Sequence, residues 1–149
     1  MRILLLFLCL LGACTPYTKA AKTYQTQVEA KQALEVDFTG WYSKQANRCL
    51  AKASEHGRSD VYKDKPVVDK VKGMRDIYND CIKKIDEGAD EIARLVDEID
   101  KIDHDAAQLI LDYARGLKPK AALLALPFRT YPLVSQLAMT IKRTEALVK

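Results

Sequence analysis

Every seventh residue from Val71 is apolar or aromatic: Val71, Tyr78, Ile85, Ile92, Ile99, Ala106 and Tyr113. The companion positions are Met74, Cys81, Gly88, Leu95, Ile102, Leu109 and Gly116. Twelve of these fourteen are apolar, aromatic or Cys, and the other two are Gly. A 3.5-residue repeat sustained over about seven heptads leaves room for one solution, a long α-helix with a buried seam. Ile82, Ala89, Val96 and Ile110 widen that seam onto the neighbouring position. A stripe this wide suits a multi-helix bundle better than a lone two-stranded zipper. The helix is expected over residues 70–115, about 70 Å at 1.5 Å per residue. Gly88 is the place where it can kink or admit a close neighbour.

The rest of the chain supplies partners for that seam. Between Ala21 and Glu55, residues Tyr24, Val28, Leu34, Phe38, Tyr42, Ala46, Cys49 and Ala53 fall in one helical stripe, with Trp41 at its edge. One long helix is expected there, with Gly40 as its weak point. The stretch "HGRSDVYKDKP" breaks it: Gly57 fits a helix C-terminus, Asp64 an N-cap and Pro66 a first-turn position. After Gly116, Pro119, Pro127 and Pro132 fence off "KAALLALPFRTY", so two short helices are expected, the last from Pro132 to about Leu147 with Thr130 as a cap. The fold class is therefore all-α. The expected form is an elongated antiparallel bundle built on a coiled-coil-like hairpin, with two shorter C-terminal helices.

The chain has 149 residues, enough for one domain with a modest core. Its net charge of +4 is unevenly spread. Residues 19–84 carry 14 basic and 9 acidic side chains, residues 86–105 carry 2 and 9, and residues 114–149 carry 7 and 1. Blocks of opposite sign can neutralise one another when helices pack, and can also steer partners. Basic residues do not alternate with exposed aromatics, so nucleic acid is not an expected partner.

The first twenty residues carry an address. Arg2 supplies a positive start, and Ile3–Leu11 is an unbroken apolar run. That run is far shorter than the ~20 residues a bilayer span needs, and it matches the apolar core of a secretory signal. Gly12, Ala13 and Cys14 follow. Leu11-Gly12-Ala13-Cys14 resembles the lipobox of bacterial lipoproteins. The resemblance covers only the first 14 residues. It implies a cut before Cys14 and diacylglycerol on the Cys14 sulfur, with a further acyl chain on the new amine in many Gram-negative bacteria. Two or three acyl chains hold a protein durably where one does not. By the same resemblance Thr15, standing where Asp tends to retain a lipoprotein at the inner membrane, favours the outer membrane. Residues 1–13 are then a signal peptide, 14–20 a tether and 21–149 the helical domain. The alternative is an ordinary secretory signal cut after Ala20, which would release a soluble periplasmic binding module.

With the leader removed and Cys14 acylated, Cys49 and Cys81 remain as a pair in an oxidising compartment. Both lie on apolar stripes of helices expected to pack antiparallel, and a disulfide between them is expected. The levels match if the long helix starts after Gly73; if it starts at Pro66, the connecting loop has to climb.

No catalytic, metal-ligating or cofactor-binding residue is assigned. His104 shares a helix face with Asp100, near Asp103, Asp105 and Gln108, but this face lies outside the apolar seam and reads as solvated. The acidic run lacks calcium-loop spacing, and Lys101 stands where a Glu-x-x-His pair needs Glu. Phosphate loops, nucleophile elbows and zinc spacings are missing from the sequence. The functional expectation is a non-enzymatic lipoprotein of a bacterial or phage-altered envelope. It would face the periplasm from the outer membrane, held by Cys14, and bind a protein partner or a second copy of itself as an adaptor or small chaperone.

Overall fold

The computed structural model describes residues 15–35, 38–118 and 120–148. Four α-helices account for most of them: α1 (Pro16–Leu34), α2 (Phe38–Gly57), α3 (Val67–Ala114) and α4 (Ala121–Ala146). A short 3₁₀ turn spans Asp60–Tyr62, and no strand occurs among the described residues. The all-α bundle expected from the heptads is present, and α3 matches the expected long helix to within a few residues at each end. Residues 1–14, with Cys9 and Cys14, and also Val36, Asp37, Pro119 and Lys149, lie outside the described residues.

The helices form two compact units. The first takes the described residues through Leu34 together with Arg94–Ala138, and the second takes Glu35–Ala93 together with the residues from Met139 onward. In the first unit α1, the C-terminal part of α3 and the start of α4 enclose Ala21, Tyr24, Ile102, Ala106, Ile110, Leu123 and Leu126. In the second, Cys49, Cys81, Ile85 and Val148 are buried, with Trp41, Tyr42, Tyr78 and Ile82 packed around them. Each unit is thus a small three-helix arrangement with its own apolar centre. The heptad positions from Cys81 to Ala106 are buried without exception.

Three expectations about helix boundaries need correction. The single helix expected over residues 21–55 is two helices, with the break between Leu34 and Phe38 rather than at Gly40, which lies inside α2. Val36 and Asp37, at that break, are both weak helix formers. Residues 16–20, expected as part of a tether, are the first turns of α1. Proline suits the first helical position because its missing N–H has no partner there anyway. Thr15 caps the turn, its Oγ1 accepting the Thr18 backbone N–H at 3.2 Å.

The third correction concerns the C-terminus. The two short helices are one 26-residue helix with Pro127 and Pro132 inside it. Each proline removes one backbone donor. Leu123, Leu126, Thr130, Leu137, Thr140 and Thr144 nonetheless stay buried, at spacings that keep one helical face across both prolines. That stripe outweighs two lost hydrogen bonds. Thr130 is accordingly not a cap. It is fully buried mid-helix, and its Oγ1 donates to the Leu126 carbonyl at 2.9 Å.

The α2–α3 connection shows how the helix levels are reconciled. α3 begins at Val67, with the Pro66 carbonyl accepting from Asp69 and Lys70, so Pro66 takes the capping position expected of Asp64. Gly57, at the end of α2, is level with Met74, and Tyr62 of the 3₁₀ turn reaches Gly73. The loop therefore climbs past the end of α2 along α3. The first turns of α3 extend past the end of α2, and Val67, Val68 and Val71 are exposed there.

Candidate functional site

The N-terminal end of α1 is tied down by three hydroxyls. Thr15 Oγ1 lies 2.7 Å from the Tyr113 hydroxyl and 3.0 Å from Thr18 Oγ1, and Thr18 Oγ1 lies 3.0 Å from the same tyrosine oxygen. The Tyr17 ring packs on Tyr113 with centroids 6.0 Å apart. The residue next to Cys14 is thus fixed to α3 within the first unit.

Further along α1, Tyr24 donates its hydroxyl to Asp103 and Lys31 pairs with Asp100. Lys31 is buried while Asp100 is exposed, so the aliphatic stem packs inside and the ammonium emerges at the carboxylate. Burial pushes the Asp103 carboxyl above its ordinary range. These pairs step in opposite directions along α1 and α3, so the two helices run antiparallel.

On its other side α1 faces α4. The two helices leave between them a groove of about 780 Å³. Pro16, Lys19, Ala20, Thr23 and Gln27 line it from α1, and Leu124, Pro127, Phe128, Tyr131 and Pro132 from α4. Gln27 Nε2 donates to the Pro127 carbonyl at 3.1 Å and spans the groove floor. Phe128 is 81% exposed and Tyr131 65%. They are three residues apart on one helix face. The lining is apolar apart from Lys19, Thr23, Gln27 and the Tyr131 hydroxyl.

In the second unit Cys49 and Cys81 are joined in a disulfide, with their Cα atoms 5.6 Å apart. Tyr42 donates to Asp86 at 2.7 Å; that carboxylate, together with partial burial, raises the tyrosine above its ordinary pKa. Trp41 Nε1 donates to Glu145 at 3.2 Å, and its ring stacks on Phe38. Both aromatics therefore serve packing here.

The remaining residues singled out from the sequence are dispersed. His104 is exposed, Asp100 is engaged by Lys31, and Asp103 by Tyr24. Among the described residues no three His, Cys, Asp or Glu side chains stand together as a metal site requires. None of the described helices is long and apolar enough to cross a membrane. Cys14, the residue expected to carry lipid, lies outside the described residues.

Sequence reasoning missed the groove, because it placed a helix break at each proline that now forms its wall. It also missed buried Gln45, whose Oε1 accepts from Arg48 at 3.0 Å. No family model, curated protein or solved structure matches this chain.

Proposed function

We propose that this chain is a lipid-anchored protein of the bacterial envelope, bacterial or phage-encoded, that works by protein contact rather than catalysis. The observation that carries the reading is the order Leu11-Gly12-Ala13-Cys14 directly after the apolar run Ile3–Leu11. Cleavage before Cys14 and acylation of its sulfur would tether the helical domain to the membrane, and Thr15 favours the outer membrane with the domain in the periplasm. Durable attachment needs no spanning helix when two or three acyl chains are present.

One feature supports this over a soluble secreted module, and a second supports export in either form. A cut after Ala20 would remove Thr15 and Thr18, which bond Tyr113, and would strip the cap from α1. A cut before Cys14 leaves that arrangement whole. The Cys49–Cys81 disulfide suits an exported protein, since such bonds persist in oxidising compartments.

Support for a contact role comes from the start of α3 and the 3₁₀ turn before it, where Val67 and Val68 are about three-quarters exposed and Val61 and Val71 more than half. Four β-branched apolar residues in solvent are costly unless something covers them, either a partner protein or a second copy. Metabolic labelling with palmitate tests the anchor: label is expected on the wild type and lost in Cys14→Ala. An unlabelled wild type, trimmed after Ala20, would overturn it. Crosslinking followed by recovery of the tagged protein tests the contact role. A defined protein adduct is expected and should be lost in Val68→Asp/Val71→Asp.

A further inference from the structure

We infer that the α1–α4 groove is a membrane-contact face. Phe128 and Tyr131 enter the headgroup region of an anionic phospholipid leaflet, and the basic residues around them meet its phosphates. The inference rests on the reading of Cys14 as the anchor and adds to it an orientation and a lipid chemistry.

Position is the first argument. Pro16 lines the groove, and only Thr15 separates it from Cys14. Two residues of chain reach at most about 7 Å. Thr15 is itself held by Tyr113, so the tether has little freedom to carry the groove away from the leaflet that holds the sulfur. An acylated Cys14 therefore brings this groove to the lipid surface.

Shape and side-chain type are the second. Phe128 and Tyr131 stand out from one face of α4, more exposed than apolar and aromatic side chains normally are in water. Aromatic side chains, tyrosine among them, settle at membrane–water interfaces, where an apolar ring and a polar tip each find their preferred medium. The groove behind them is apolar and open, so it can accept acyl tails or headgroup carbons when the face is pressed to the leaflet.

Charge is the third. The segments that build the groove side of the first unit, residues 15–34 and 115–138, carry seven basic residues and one acidic. Residues 94–114 of α3, to which they pack, carry two basic and six acidic. α3 contributes nothing to the groove lining. Lys31 and Lys120 spend their charge on Asp100 and Asp112 of α3, which leaves Lys19 in the groove lining and Lys22 and Arg129 exposed on the two helices that build it. Anionic leaflets attract such a basic face, and that attraction weakens with added salt. A protein partner would use the apolar groove equally well. The adjacent tether and the basic excess favour lipid.

The test places a photoreactive benzoyl-phenylalanine at position 128 of the full-length chain, expressed with its own leader and irradiated in intact bacteria. Mass spectrometry should find a phospholipid adduct on the peptide containing residue 128. The same group at His104, exposed on the acidic α3 side of the first unit, should give none. Lys19→Glu/Arg129→Glu should reduce the lipid adduct severalfold, and melting curves of that variant check that it folds. A protein adduct at 128, or no lipid adduct there, overturns the proposal. The same spectra report the mass on Cys14. Acylation without a lipid adduct at 128 would leave the anchor standing and remove the docking face. A lipid adduct without acylation would do the reverse.

Discussion

Gly88 and Thr144 touch so closely that a side chain on the glycine has no room. A Cβ built at Gly88 would stand 2.2 Å from Thr144 Oγ1, 2.5 Å from its Cγ2 and 2.9 Å from its Cβ. Both residues are buried, and Thr144 Oγ1 donates to the Thr140 carbonyl at 2.9 Å, which holds the hydroxyl in place. In the heptad Gly88 sits where neighbouring turns place Cys81 and Leu95, so the missing side chain admits α4 to α3.

Gly88→Ala is expected to destabilise the protein. Alanine gains about 1 kcal/mol over glycine in helix propensity, but overpacking a buried contact costs ~1–3 kcal/mol, and here both atoms nearest the new Cβ belong to a short, branched side chain. Thr144→Ala removes those two atoms, so Gly88→Ala/Thr144→Ala should recover part of the loss. Urea unfolding of the four proteins gives the coupling directly. Additive effects would mean that the helices separate instead of clashing.

The disulfide is the second handle. Cys49 and Cys81 are 32 residues apart in sequence, and closing such a loop contributes about 3.5 kcal/mol in the chain-entropy model. Cys49→Ala/Cys81→Ala should lower stability by roughly that amount, and reducing agent should shift the wild-type melt to meet the variant's. A wild-type melting temperature unmoved by reductant would show that the bond contributes nothing. Because this loop links the end of α2 to α3, the loss should appear first in the hydrogen exchange of α2.

What could be read from the sequence follows from which signals are local. Ile85 to Ile102 declared a buried seam because a helix repeats its own pattern regardless of partners. Cys49 and Cys81 could be paired because both fell on such seams, but their level depended on where α3 begins, and its start at Val67 makes the loop climb. Pro127 and Pro132 misled because proline is a local breaker, and only the buried stripe from Leu123 to Thr144, packed against other helices, overrides it. The groove was illegible for the same reason: it exists only because Pro127 and Phe128 lie across from Pro16 and Gln27. Nothing in the sequence marks Lys31 as buried, because its partner Asp100 lies 69 residues away on α3.

Gly116 tests backbone conformation without side-chain crowding. Its φ is +74°, and a Cβ there would meet nothing within 4 Å. The Leu117 N–H bonds the Asp112 carbonyl at 3.1 Å and the Gly116 N–H bonds that of Tyr113 at 3.0 Å, which closes α3 in a Schellman motif. Gly116→Ala should cost about 1–2 kcal/mol through the left-handed conformation alone, and Gly116→Asn distinctly less. Thermal melts of the two variants rank them. Equal losses would mean that α3 simply frays there.

Asp103 makes a prediction about pH. Burial raises its carboxyl above the ordinary 3.8, so the folded protein holds that proton more tightly than the unfolded chain does. Between about pH 4 and the raised value the folded state binds more protons, and the contribution of this group to stability falls as pH rises. Other carboxylates titrate over the same range, so the informative quantity is a difference between proteins. Asp103→Asn carries no charge at any pH and keeps an oxygen to accept from Tyr24, whose hydroxyl donates to Asp103 in the wild type. The melting temperature of Asp103→Asn minus that of the wild type should therefore climb as pH rises from about 4 to 7, and level off once Asp103 is fully ionised. A difference that falls over this range would mean that the Tyr24 hydrogen bond holds the carboxylate ionised against its burial.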